Sequence, residues 1–203
     1  MNNNMEYHES LGILIRDALN KIPSPVIRRA LTKAVYEKLK SHTPIRLSLE
    51  AQFVGPIKCR YAGCPPVEKG KKRRKVLGYL WDFSFSRYDI PAAIEQDGPV
   101  ALSGKYELLL VVESELGTSH EICRDLLKLI EARAAIRCLI FKHPARDWQR
   151  LHDRMIRVLH NHAQFRPGDE QWLFFGLLLG SERVQAQAYT LTADGSQLIQ
   201  LQQ

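Results

Sequence analysis

Hydrophobic positions along the chain switch between a helical and an extended period, and the switches predict the elements. Over residues 6–20, Leu11, Ile13, Leu14, Ile15 and Leu19 recur at helical spacing. Pro23 and Pro25 break that helix. Ser24 caps a second one with Pro25 at its first position, and it runs to about Lys40. Its buried stripe is Val26, Ile27, Ala30, Leu31, Ala34, Val35 and Leu39. The period then falls to two. IRLSLEAQFV (45–54) reads as a strand, residues 55–75 as a loop, and VLGYLWDFSF (76–85) as a second strand. Residues 86–104 are loop-like. YELLLVVESE (106–115) is a third strand, apolar through its middle as expected of one covered on both faces. Thr118 and Glu121 form a capping-box start for a helix with the stripe Ile122, Leu126, Leu129 and Ile130. IRCLIF (136–141) is a strand, and 146–162 a helix with Trp148, Leu151, Met155, Ile156 and Leu159 inward. Residues 171–179 and 183–191 form a late pair of strands around Gly180-Ser181, and the tail beyond Asp194 reads as frayed.

This order predicts an α/β fold, a single domain over 1–203 with a mixed central sheet flanked by helices. The core spans about 24–142, with a helical N-terminus and a C-terminal helix and β-hairpin extension over 146–192. The late strands either extend the sheet or make a dimer contact. No stretch approaches the roughly 18–20 apolar residues of a membrane helix. MNNNMEYHES lacks the pattern of a secretory signal, so the expected location is cytoplasmic, without a membrane partner.

The formal net charge of +7 sits in one place. Residues 55–75 carry Lys58, Arg60, Lys69, Lys71, Lys72, Arg73, Arg74 and Lys75 against the single acid Glu68, which leaves the rest of the chain neutral. A patch of that density attracts polyanions, nucleic acid first among them, with Lys69, Lys71, Lys72, Arg73, Arg74 and Lys75 as the contacts. The alternative is a solvated loop whose charge prevents strand-edge pairing. KKRRK is also a weak match to a nuclear-import signal. Cys59 and Cys64 lie near zinc-ribbon spacing, but no second pair matches them, and all four cysteines read as free thiols. His152 and His160 lie about two turns apart on one helix, too far in height to share a metal, and with His162 they read as surface or interface residues.

Carboxylates are rare inside strands because burying an unpaired charge is costly. Asp82 stands among aromatics in the second strand, and Glu113 and Glu115 close the third. Side chains alternate along a strand, so Glu113 and Glu115 share a face. Two like charges there either pair with separate cationic side chains or share a cation, and hard divalent ions favour oxygen ligands.

The order helix, three strands, helix, strand, with Asp82 in LWDF and Glu113-Ser114-Glu115 in VVESELG, resembles the core of the PD-(D/E)XK, or restriction-endonuclease-like, nuclease superfamily. The resemblance covers roughly residues 24–142. It implies a Mg²⁺ (or Mn²⁺)-dependent nuclease hydrolysing DNA phosphodiester bonds, with DNA favoured over RNA. Asp82, Glu113 and the Ser114 carbonyl would hold metal, and Glu115 would take the proton of the attacking water or bind a second ion. Cutting both strands of a duplex would imply a homodimer. Glu115 stands where the superfamily usually has lysine. Lys128 on the following helix is the candidate replacement, although the helical wheel turns it away from the buried stripe, as a solvated lysine. Glu37 matches a glutamate that the superfamily often carries on the preceding helix; an exposed helix residue is the alternative. The competing reading is a nuclease-like module that has lost activity and binds nucleic acid or a partner protein. A further alternative is a small RNA-binding or adaptor protein whose acids are structural.

Overall fold

A computed structural model of the chain describes residues 3–22, 28–41, 58–61, 82–86, 108–144, 146–166, 171–179 and 183–201. Among these, four helices and seven strands follow in chain order: α1 (Asn3–Asn20), α2 (Arg28–Ser41), β1 (Lys58–Tyr61), β2 (Phe83–Ser86), β3 (Leu108–Glu115), α3 (Ser119–Glu131), β4 (Ala134–Lys142), α4 (Trp148–His160), β5 (Gln171–Leu179), β6 (Val184–Leu191) and β7 (Leu198–Gln200). The strands form one mixed sheet in sequential order. β1, β2 and β3 are antiparallel, β3, β4 and β5 are parallel, and β5, β6 and β7 are antiparallel again. The late strands therefore extend the sheet. Helix α3 is the crossover between β3 and β4, and α4 lies between β4 and β5, as parallel neighbours require.

Period-two alternation divides the side chains between two cores. Leu110 and Val112 of β3, Ile136, Cys138 and Ile140 of β4, and Leu173, Phe175 and Leu177 of β5 pack with Leu11, Ile15 and Leu19 of α1 and Leu31, Val35 and Leu39 of α2. Val111, Leu139, Phe141, Trp172 and Phe174 point the other way. They pack with Ile122, Leu126, Leu129 and Ile130 of α3 and Leu151, Met155 and Leu159 of α4. The architecture is a sheet covered on both faces, which explains why the middle of β3 is apolar without alternation.

Two elements differ from the sequence reading. Residues 58–61 lie in the stretch assigned to a loop, yet they pair along β2 from Lys58↔Ser86 to Tyr61↔Phe83. Their alternating Lys58 and Arg60 hide the hydrophobic signal, as charges on edge strands do. The tail is not frayed either. Asp194 Oδ1 accepts hydrogen bonds from Thr192 Oγ1 at 2.6 Å, Ser196 Oγ at 2.8 Å and Ser196 N at 3.0 Å. Gly195 adopts a positive φ of 70°, and Thr192 N donates to Gln197 O. That turn brings Leu198–Gln200 back onto β6. Asp-Gly is the strongest short signature of such a turn. The strand expected over 45–54, the first part (76–81) of the one expected over 76–85 and the basic run Lys69, Lys71, Lys72, Arg73, Arg74 and Lys75 lie outside the described residues.

Candidate active site

Helix α3 fixes the site from one side, and both its ends are fastened. At the start, Thr118 Oγ1 accepts from Glu121 N while Glu121 Oε2 accepts from Thr118 N at 2.7 Å, the reciprocal capping box. These bonds hold the Glu121 carboxyl below its ordinary pKa. At the other end, the buried Arg137 of β4 donates from Nε to Leu129 O at 2.8 Å and Ala132 O at 2.9 Å. Its guanidinium also lies 5.2 Å from the centroid of the Trp172 ring.

The face of α3 turned to the sheet carries one acid, Asp125, only 1% exposed. It lies three residues after Ile122 and four before Leu129, inside the apolar stripe. Lys128 is on the next turn. Its Nζ is 2.7 Å from Asp125 Oδ1 and 3.5 Å from Glu113 Oε1. The side chain is 33% exposed, whereas Glu113 is 1% exposed. Lys128 is thus not the solvated lysine of the helical wheel, because its four-carbon stem lets the ammonium reach back over the helix edge. Burial pulls its pKa down, but the hydrogen bond to Asp125 and the charges of Glu113 and Asp125 outweigh that, and the net displacement is upward. The ammonium is therefore charged at neutral pH.

Glu113 and Glu115 share the α3 face of β3, as the alternation predicts, and both are buried. Glu115 Oε1 accepts from Gly117 N at 2.8 Å. A Cβ at Gly117 would meet Glu115 Oε1 and Glu121 Oε2, so a side chain there would displace the carboxylate that closes the capping box. Ser114 points to the other face, where its Oγ lies 2.6 Å from Thr32 Oγ1 of α2.

Asp82, just before β2, is drawn to that second face. Its Oδ2 accepts from Ser114 N at 2.8 Å and from Ser114 Oγ at 2.5 Å. The structure thus brings Glu113, Lys128 and Asp125 together and sets Glu115 on the same face of β3 as Glu113. It anchors Asp82 to Ser114 on the α2 side. Among the described residues, no three His, Cys, Asp or Glu side chains gather around a point that one ion would occupy. Asp125 is the member the sequence reading missed, and an acid inside the apolar stripe of a helix is the signal that marks it.

The remaining candidates have local partners or lie apart. Glu37 is exposed on α2. His152 Nε2 accepts from Leu198 N, and His160 Nε2 lies 3.0 Å from Gly195 O, so these two tie α4 to the C-terminal turn and strand. Cys123 and Cys138 are buried free thiols, and burial pushes both pKa values up. Among the described residues, no helix is long and apolar enough to cross a membrane. Comparison of the chain with protein-family models, curated proteins and solved structures finds no match.

Proposed function

We propose that the chain is a metal-dependent phosphodiesterase acting on nucleic acid, DNA before RNA, built on a restriction-endonuclease-like core. The observation that carries this reading is Lys128 Nζ at 3.5 Å from Glu113 Oε1. It supplies, from the crossover helix, the lysine that the triplet Glu113-Ser114-Glu115 lacks. An acid and a lysine side by side at the end of a central strand are the pair that phosphodiester hydrolysis needs, one for an electrophilic centre and one for phosphate charge.

The donors fit a hard divalent ion in kind. Glu113, Asp82 and the Ser114 carbonyl offer the oxygen ligands that Mg²⁺ or Mn²⁺ takes. Gathering them requires Asp82 to exchange its bonds to Ser114 for the ion. When bound, the ion lowers the pKa of water and neutralises phosphate oxygens. The chain does the rest. Lys128, held charged between Asp125 and Glu113, donates to a non-bridging oxygen of the scissile phosphate as negative charge grows there. Glu115, oriented by Gly117 N, takes the proton that the attacking water loses as its oxygen bonds to phosphorus. The phosphorus–oxygen bond to the leaving nucleotide breaks, and that oxygen is protonated by solvent. The basic run 69–75 would contact the backbone without reading sequence.

The test is nicking of supercoiled plasmid by the purified protein in Mg²⁺ or Mn²⁺, against EDTA and against Glu113→Gln. Nicking that needs the ion and is lost in the variant supports the reading. A second reading, an inactive nuclease-like module that binds nucleic acid or a partner protein, is favoured by the hold of Ser114 on Asp82 Oδ2 away from Glu113. It predicts nucleic-acid binding by folded wild type with no cleavage in either metal.

A further inference from the structure

Helix α4 presents Arg150, Arg154 and Arg157 along its outward side, and none of them forms a salt bridge among the described residues. Asp153, the acid on the same helix, accepts from Gln149 Nε2 at 2.7 Å and interacts with His152 Nδ1 at 3.1 Å, although it also lies within the field of Arg157. Arg157 itself donates from Nε to Asp153 O at 3.3 Å. The three guanidinium groups line a furrow. One concavity of about 350 Å³ begins at Gly117 and Ser119, where β3 hands over to α3, and passes Lys142 at the end of β4. A second of about 560 Å³ continues between α3 and α4 past the exposed Leu127 to His162. Arg150 and Arg154 line both, so the two adjoin along α4 as parts of one furrow. Asp147 is the acid on its wall, and Glu131 Oε1 stands 3.9 Å from His162 Nε2 at the far end.

We propose that this furrow is a second nucleic-acid surface, which holds the phosphate backbone of a single strand and leads it to Glu115. The inference rests on the phosphodiesterase reading only for its destination; the binding stands without it. Steps of four and three residues on a helix separate successive arginines by roughly 4.5–6 Å along the axis. That spacing is comparable to the distance between neighbouring phosphates of an extended strand. Guanidinium groups match phosphate oxygens in a two-bonded geometry that lysines lack. The furrow also opens at the carboxyl ends of the parallel strands β3 and β4, where α/β sheets bind ligands. Gly117, at its mouth, is two residues from Glu115. The charge-bearing residues here are dispersed along 142–157, so the sequence shows no run of the kind at 69–75.

The test is fluorescence anisotropy of a short labelled single-stranded DNA in EDTA, which separates binding from cleavage. The full-length wild type is compared with Arg150→Gln/Arg154→Gln/Arg157→Gln and with Lys71→Gln/Lys72→Gln/Arg73→Gln/Arg74→Gln, each checked for an unchanged melting temperature. The furrow variant is expected to lose on the order of tenfold or more in affinity. It should also flatten the slope of log affinity against log salt by about 2, since each phosphate contact on a single strand contributes roughly 0.7. Wild-type affinity and slope in that variant would overturn the proposal. Equal displacement of the DNA by poly-L-glutamate would also overturn it, in favour of an acidic protein partner. If the furrow fails while plasmid nicking still depends on Glu113, only the strand path is wrong. If binding survives and nicking is absent, the catalytic reading alone fails.

Discussion

At the residue scale, the informative group is Lys128 between two carboxylates that are each 1% exposed. Removing one partner of a buried ion pair leaves charge behind in a medium that solvates it poorly, which costs about 3–5 kcal/mol for a fully buried pair. Lys128 is one-third exposed, so Lys128→Met is expected to cost about 2–3 kcal/mol in urea unfolding once solvent screening is allowed for. A loss under roughly 0.5 kcal/mol would mean that the ammonium is a solvated surface charge. Divalent ions give a complementary readout. A ligand that binds only the folded state raises its melting temperature. Mn²⁺ is therefore expected to raise that of the wild type and not that of Glu113→Gln, and equal shifts would remove Glu113 from any metal site. Asp194 makes a third prediction. Its bonds to Thr192 and Ser196 hold its pKa at about 2, against an ordinary 3.8. A carboxylate with a depressed folded pKa stabilises above its unfolded value and loses that contribution as pH falls through the folded one. The melting temperature is thus expected to fall between about pH 4 and pH 2 more steeply in the wild type than in Asp194→Asn. Parallel curves would show that the turn does not depend on this charge.

At the element scale, α3 is the part that matters, because it carries Asp125 and Lys128 to β3. Its N-cap Thr118 accepts from the Glu121 backbone N, and loss of a threonine cap costs about 1 kcal/mol. Thr118→Ala is expected to cost that much in chemical denaturation, and an unchanged midpoint would show the cap to be dispensable. The capping box was legible from Thr118 and Glu121 alone, as was the shared face of Glu113 and Glu115, since both follow from local periodicity. The Lys128 contact was not legible. A helical wheel records where a Cβ points, whereas the length of a lysine stem decides where its nitrogen ends. The course of Asp82 was also hidden, because its bonds are made to the backbone and hydroxyl of Ser114 on a neighbouring strand. Strands β1 and β7 escaped notice for a different reason. They are only four and three residues long, too short for a hydrophobic period to register.

At the scale of the whole molecule, the sheet order positions the chemistry. The antiparallel strands before β3 bring Asp82 alongside it, and the parallel crossover to β4 lays α3 over its face. One end of β3 therefore meets residues from three separate stretches of chain, and the furrow between α3 and α4 opens beside it. In the proposed phosphodiesterase, Glu113 and Lys128 form the acid–lysine pair. The measurement that bears on it most directly is the rate of plasmid nicking in Mn²⁺ by wild type, Glu113→Gln and Lys128→Met, each shown by circular dichroism to be folded at the assay temperature. The expected result is metal-dependent nicking by the wild type and losses of about a hundredfold or more in both variants, the scale on which one transition-state charge contact contributes. Nicking that persists equally in all three, or none by folded wild type with Mn²⁺ bound, would contradict the claim.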